Sequence, residues 1–415
     1  MESLRMETLT MERFEEATEI VSKVTHETKL LYSDYFSNLT GNKVYLKPEN
    51  MQTTGSYKIR GSYYKISTLP EEQRAKGLIA ASAGNHAQGV AYAAMVFGCK
   101  AVIVMPQNTP LLKVNRTKEL GAEVILYGAD YDEACEHALQ LSEEHGYTFI
   151  HPFDDPDIIT GQGTIAMEII KELPTVDYVL VPIGGGGLAA GISKLMKLFN
   201  PNIHIIGVEP VAAACMKASI ESDEVVTLQS ANTIADGTAV RTPGKLTYEI
   251  VKENVDEIIT IADEELIVAF LDLMENHKIV AENSGLLTIA ALRHLDIHNK
   301  KVVSVISGGN MDVITMSSVV QHGLVQRGRI FTVSVLLPDT PGQLVNVAST
   351  IARAQGNVVK LEHNQFVSVN RMAAVELRVT IEAFGLEHRE EIIHKLAEAG
   401  LRPRLVSSKG QISLS

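Results

Sequence analysis

Only three cysteines occur, at positions 99, 135 and 215. Their number is odd and no two form a CxxC pair, which argues against both a disulfide framework and a zinc site; they read as reduced thiols of a cytosolic protein. Long apolar runs are missing too. The longest, over 178–192, is broken by four consecutive glycines and falls short of the ~20 residues that cross a bilayer, so no membrane segment is expected. Residues 1–20 are acidic and have no apolar centre, so no signal peptide is expected. Nor does any basic run interleave with aromatic residues. With 37 basic against 50 acidic side chains and a net charge of −13, nucleic acid is not an expected partner.

The 415 residues, 45% apolar and 21% charged, belong to a soluble globular protein of two or three domains. Strand and helix patterns alternate. A helix is expected over 12–25, a strand over 43–47 ended by Pro48, and a helix over about 56–66. A strand at 77–80 runs through Ser82-Ala83-Gly84-Asn85-His86 into an alanine-rich helix ending at Phe97. Strand 100–105, helix 111–120, strand 122–126 and a helix from Asp132 follow. The polar, glycine-rich stretch near 150–165, beginning His151-Pro152-Phe153-Asp154-Asp155, marks a return from a small lobe (about 75–152) to a larger one. There, strand 176–181, Gly184-Gly185-Gly186-Gly187, helix 188–198 and strand 203–208 continue the rhythm. Asp263 caps a helix bearing Leu266, Phe270, Leu273 and Met274. Such alternation implies parallel sheets in an α/β fold. After strand 302–306 the rhythm fades, and Arg327-Gly328-Arg329 reads as a linker between units 1–328 and 329–415. In the second unit, Phe331, Val333, Val335 and Leu337 mark a half-buried strand. A helix from Gln343 to Gly356, strands at about 357–368 and 371–382, a helix at 387–399 and a strand near 401–407 complete a βαββαβ, ferredoxin-like order.

Two stretches stand out chemically. In Gly55-Ser56-Tyr57-Lys58-Ile59-Arg60-Gly61 a lone lysine sits among small and apolar residues. It is either a solvated lysine at a helix start or an amine depressed by burial and by the neighbouring Arg60 for covalent work. The tetraglycine lets backbone N–H groups approach a phosphate at a helix N-terminus. A Walker loop would need Lys-Ser or Lys-Thr where Leu188-Ala189 stands. A dinucleotide site is better matched, because Gly184, Gly186 and Ala189 fit G-x-G-x-x-A and Glu209 follows the next strand. That reading, an NAD oxidoreductase, leaves Lys58 and the other glycine turns without a role. Pyridoxal phosphate accounts for all of them: an aldehyde for Lys58, a phosphate for Gly184 to Gly187, and polar groups for the ring and the substrate carboxylate.

The four motifs Ser56-Tyr57-Lys58-Ile59-Arg60-Gly61, Ser82-Ala83-Gly84-Asn85-His86, Gly184 to Leu188 and Ser307-Gly308-Gly309-Asn310 stand in this order over about residues 10–325. Together they resemble the serine/threonine dehydratases of the second pyridoxal-phosphate fold type, whose two-lobed parallel-sheet fold is tryptophan synthase β-like. Residues 331–405, with Leu337-Pro338-Asp339-Thr340-Pro341-Gly342-Gln343-Leu344, resemble an ACT regulatory domain. The combination is similar to the medium-length threonine ammonia-lyases. The resemblance implies that Lys58 is the Schiff-base lysine, that Asn85 partners the ring oxygen, and that Gly184, Gly185, Gly186, Gly187 and Leu188 form the phosphate cup. It places Ser307 at the pyridine nitrogen, where a hydroxyl, unlike a carboxylate, leaves the ring a weaker electron sink and favours prompt loss of the β-hydroxyl. It makes Ser82, Gly84, Asn85 and His86 substrate-binding residues. The implied reaction converts L-threonine to 2-oxobutanoate and ammonia, and L-serine to pyruvate, in a cytoplasmic homo-oligomer, dimer or tetramer. An amino acid or nucleotide would act as allosteric effector, and the role would lie in isoleucine biosynthesis or in threonine breakdown.

Two departures narrow this. Relatives that racemise serine carry a serine at the position of Ala83, and alanine cannot donate a proton. Those relatives bind a divalent cation where Glu209, Ala213 and Cys215 stand here, and a thiol in place of a hard oxygen ligand argues for no metal. A racemase or β-replacement enzyme of the same fold and a non-catalytic amino-acid sensor are the competing readings. His86 is either a substrate contact or a helix cap. By the resemblance Glu282 faces the cofactor ring, with a helix-turn glutamate as the alternative. Asp236-Gly237-Thr238-Ala239 is a glycine turn for which a merely structural role is one reading, and the methionines read as core.

Overall fold

The computed structural model describes residues 8–364 and 375–406. The chain divides into two compact units, 1–313 and 314–415. The division falls at the start of the helix Val313–Gln326, ahead of the Arg327-Gly328-Arg329 linker read from the sequence.

Among the described residues the first unit holds ten strands: β1 (Leu31–Tyr32), β2 (Lys43–Pro48), β3 (Leu78–Ala81), β4 (Ala101–Met105), β5 (Glu123–Leu126), β6 (Thr148–Phe149), β7 (Tyr178–Pro182), β8 (His204–Pro210), β9 (Glu257–Ile261) and β10 (Lys301–Ile306). They form a six-stranded sheet ordered β1-β2-β10-β7-β8-β9 and a four-stranded sheet ordered β5-β4-β3-β6. Both are parallel except where β1 meets β2. Strands β7, β8 and β10 are buried from their second residue on, as expected of parallel strands covered on both faces. The large-sheet core gathers Val179, Val181, Ile205, Val303 and Val305, and the small-sheet core Leu78, Ala80, Ile103 and Met105.

The stretch read as a polar return is mostly a 17-residue helix, Pro156–Glu172. Asp155 caps it, accepting from the N–H groups of Asp157 and Ile158, with Pro156 at the first position. Gly161 and Gly163 weaken the helical pattern in sequence, yet they are what the packing uses. A Cβ on Gly161 would lie 2.6 Å from the Cα of Gly61, so this helix and Lys58–Thr68 cross backbone to backbone. Another expectation is corrected in detail. The helix Asp263–His277 forms, but Asp263 does not cap it. Its carboxylate accepts from Thr233 Oγ1 and the Ile234 N–H instead, and Glu265 accepts the Ala262 N–H at the helix start.

Beneath Lys58–Thr68 lies a buried charge cluster. Arg60 donates to Glu49 and to Glu168, each at 2.7 Å, and Lys47 pairs with Glu168. Removing one partner of such a set strands a buried charge.

The second unit has β11 (Ile330–Leu337), β12 (Asn357–Asn364), β13 (Val375–Glu382) and β14 (Arg404–Val406), in the antiparallel order β12-β13-β11-β14 of a ferredoxin-like sheet. Helices Gln343–Arg353 and Leu386–Glu398 contribute Val347, Ile351, Ile392 and Leu396 to a core with Val333, Val335, Leu377 and Val379. The parts of the expected strands at 365–368, 371–374 and 407 lie outside the described residues. Among the described residues no helix is long and apolar enough to cross a membrane.

Candidate active site

In a parallel sheet the carboxyl ends of the strands are where ligands gather. Here β3 ends at Ala81 and delivers Ser82 to Asn85; β7 ends at Pro182 and delivers the tetraglycine; β10 ends at Ile306 and delivers Ser307. All of these residues line one cavity of about 680 Å3 between the two sheets, together with Lys58, Leu188 and His86.

Lys58 opens its helix and is placed by a backbone seam. Ser56 bridges Gly308, the Tyr57 N–H donates to Ser307 O at 3.1 Å, and the Gly309 N–H donates to Gly55 O at 2.9 Å. Its Nζ donates to Pro152 O at 2.8 Å. Desolvation pushes its pKa down to about 8, against the opposing charge of Glu282. Arg60 has no share in this, contrary to the sequence-based expectation, because Glu49 and Glu168 neutralise it.

The tetraglycine fits a phosphate. Gly186 has φ +97°, a conformation favouring glycine, and starts the helix Gly187–Phe199. A Cβ on Gly185 would lie 2.4 Å from the Phe153 ring, and one on Gly187 would lie 2.9 Å from Phe153 Cβ. The loop is held from behind by Thr247 Oγ1, which donates to Gly185 O at 2.6 Å. A Cβ on Gly84 would meet no protein atom within 4 Å, so that face is open. The Gly84 N–H donates to Ser82 Oγ at 3.2 Å.

Asn85 is doubly held: its Nδ2 donates to Glu282 Oε1 at 2.6 Å and its Oδ1 accepts from Asn310 Nδ2 at 2.8 Å. Its second amide hydrogen is left for a ring oxygen. His86 is buried, and its Nε2 faces Ile150 O at 2.9 Å. Desolvation, reinforced by Lys58, drops its pKa to about 3, so the ring is neutral. Ala83 lines the cavity.

Sequence reading missed several residues here. Asp236 to Ala239 line the cavity, and Asp236 pairs with Lys113 at 2.9 Å. Asp132 and Arg241, also lining it, pair at 3.2 Å. The pairs join sequence neighbourhoods over 100 positions apart, so no local pattern could have found them.

Glu209, the residue a dinucleotide site would need, is spent elsewhere. Its two oxygens accept the N–H groups of Met216 (2.9 Å) and Lys217 (2.8 Å), in the first turn of the helix Cys215–Ser222. Burial pushes Glu209 up to about 7 and Cys215 up to about 12, leaving the thiol protonated. A protonated thiol and an engaged carboxylate do not suit a hard divalent cation.

Residues 21–308 match the family model of pyridoxal-phosphate dependent enzymes. The chain is 44% identical over 399 residues, 96% of its length and all of the relative's, to a protein of Thermotoga maritima named L-threonine ammonia-lyase. It is 42% identical over 388 residues, 93% of its length and 96% of the relative's, to one of Geobacter sulfurreducens with the same name. Among solved structures, the processed form of threonine deaminase isoform 2 from Solanum lycopersicum superposes with a TM-score of 0.72 at 38% identity, covering 75% of this chain and 94% of that one. A desolvated amine, a glycine cup, a held amide and a serine around one cavity are what the cofactor requires, and the chain belongs to the pyridoxal-phosphate dependent enzymes.

Proposed function

We propose that the protein is a threonine ammonia-lyase, converting L-threonine to 2-oxobutanoate and ammonia and L-serine to pyruvate. The observation that carries the reading is the convergence of Lys58, Asn85, the Gly184 to Leu188 loop and Ser307 on one cavity in which Ala83 stands beside the substrate motif. The names of relatives that match nearly the whole chain support it.

When bound, pyridoxal phosphate supplies an electron sink for the α-carbon. In this reading Lys58 is the residue that would hold the cofactor's carbonyl carbon, and its Nζ would serve as the base for the α-proton, a role typically worth 10²–10⁴-fold. The amides of Gly184 to Leu188 would hold the phosphate, Asn85 Nδ2 would donate to the ring oxygen, and Ser307 would meet the ring nitrogen without charging it. Ser82, Gly84, Asn85 and His86 orient the substrate carboxylate. Ala83 offers no acid to the opposite face of the α-carbon, which supports elimination over racemisation. The family assignment and the engaged Glu209 disfavour an NAD oxidoreductase. The intact motif residues disfavour a non-catalytic sensor.

In this reading residues 1–328 are the catalytic part, with 75–152 as its small lobe, and 329–415 an ACT-type regulatory part. A cavity of about 210 Å3 lined by residues 337–344, His363, Val375 and Leu377 supports an effector site in the second unit. There Gly342, at φ +92°, precedes the helix Gln343–Arg353, whose N-terminus favours a carboxylate. The exposed edge strand β12 supports pairing with a second copy, hence a homo-oligomer. The reduced cysteines support a cytoplasmic setting. The test is release of ammonia and a 2-oxo acid from L-threonine and L-serine by the purified holoenzyme. Release of neither sinks the reading.

A further inference from the structure

His151 was given no role by the motifs, yet it lines the cavity between two parts of the site. Its neighbour Pro152 accepts from Lys58 Nζ, and the next side chain, Phe153, packs against Gly185 and Gly187 of the phosphate cup. The rings of His151 and Phe153 meet edge to face, centroids 4.8 Å apart. His151 Nδ1 accepts the N–H of Phe153 (3.3 Å) and of Asp154 (2.8 Å). A ring nitrogen that accepts carries no proton, so the neutral ring has its proton on Nε2. Among the described residues Nε2 has no hydrogen-bond partner.

We propose that His151 Nε2–H is a fixed hydrogen-bond donor to an oxyanion bound in this cavity, either a phosphate oxygen of the cofactor or a carboxylate oxygen of the amino-acid substrate. The turn locks the tautomer through Nδ1, so the donor is oriented before the ligand arrives. Desolvation keeps the ring's pKa below its ordinary value, Asp154 and Asp155 opposing and Lys58 adding to the lowering, so the donor is neutral at pH 7. The proposal rests on the lyase reading for its substrate arm and on family membership alone for its cofactor arm.

Two substitutions separate this role from holding the turn. In His151→Asn the Oδ1 atom can replace Nδ1 as acceptor of the two backbone N–H groups, but nothing replaces Nε2–H. In His151→Gln an amide N–H stands near Nε2 and the turn acceptor is lost. Full-length proteins are compared by titrating the apoenzymes with pyridoxal phosphate, following fluorescence, and by KM and kcat for L-threonine in the holoenzymes. The expected result is that H151N weakens one of these constants about tenfold, the size of a hydrogen bond to a charged group, while H151Q stays closer to wild type. A change in the pyridoxal phosphate Kd identifies the phosphate as acceptor; a change in KM with Kd unmoved identifies the carboxylate. H151N matching wild type in both constants, or H151Q impaired at least as much as H151N, overturns the proposal. Lack of turnover by the wild type would instead strike the lyase reading, and the pyridoxal phosphate titration would still judge His151.

Discussion

Asn85 Nδ2 donates to Glu282 Oε1 at 2.6 Å, joining the turn after β3 to a carboxyl 197 positions further along the chain. Burial pushes Glu282 up from its ordinary 4.5 to about 7, with Asp236 adding to the rise. The folded pKa lies above the unfolded one, so the native state retains a proton that the unfolded state loses. The associated stability is fully present below about pH 4.5 and is lost as pH rises to about 7, amounting to up to about 3 kcal/mol. Glu282→Gln apoenzyme should therefore gain on wild type across that window, in urea unfolding midpoints measured at a series of pH values. A gap that does not change with pH would contradict this.

The neutral amine of Lys58 is the form that captures an aldehyde, and its pKa is held at about 8. Cofactor uptake by the apoenzyme should accelerate as pH rises through about 8 and level off above. Lys58→Ala should take up no cofactor covalently and lose turnover by at least 10²–10⁴-fold. Borohydride treatment of wild-type holoenzyme followed by peptide mapping should place the label on Lys58; a label on another lysine refutes the assignment.

In the proposed mechanism Ala83 leaves one face of the α-carbon without a proton donor. Chiral analysis of L-serine recovered part-way through turnover should show little D-serine beside pyruvate, and Ala83→Ser should raise the D-serine fraction. Comparable D-serine and pyruvate from the unaltered enzyme would count against the role given to Ala83.

Gly161→Ala tests the helix crossing that seats Lys58. Its new methyl would stand 2.6 Å from Gly61 Cα and 2.7 Å from Arg60 O, backbone atoms that cannot swing aside. Overpacking of this kind typically costs 1–3 kcal/mol, and it should lower both the unfolding midpoint and cofactor affinity. Alanine at Gly98, where no atom lies within 4 Å but φ is +65°, should lower the midpoint through backbone strain and leave cofactor affinity unchanged.

Removal of residues 329–415 should leave threonine turnover intact while abolishing the response to a small effector such as isoleucine or valine. In the full-length enzyme that response should correspond to a coupling of ~1–3 kcal/mol. No change in rate or thermal stability of the full-length protein with any proteinogenic amino acid or common nucleotide would refute a regulatory role.

The alternation of strands and helices was legible because parallel strands covered on both faces must be largely apolar, as β7 is throughout and β10 is apart from Lys301 and Ser304. The helix Pro156–Glu172 was not legible, since its glycines lower helix propensity and make sense only against the helix they touch. The cap assigned to Asp263 failed for a related reason: a nearer claim, from Thr233 and Ile234, drew its carboxylate away.

By itself the sequence determined the groups proposed to meet the cofactor. Lys58, Asn85, the tetraglycine and Ser307 each sit at the end of a strand or the start of a helix, where the chemistry is set by residue type and local backbone alone. Only the tertiary structure decided the electrostatics around them. Arg60, two residues from Lys58, looked like the charge that would tune it, but Glu168, 108 positions away, neutralises it together with Glu49. Glu282 reaches Asn85, and the His151 turn reaches Lys58, across 197 and 94 positions respectively. Burial and charge compensation arise from contacts between distant segments, and a pKa follows from those contacts rather than from neighbours in the chain.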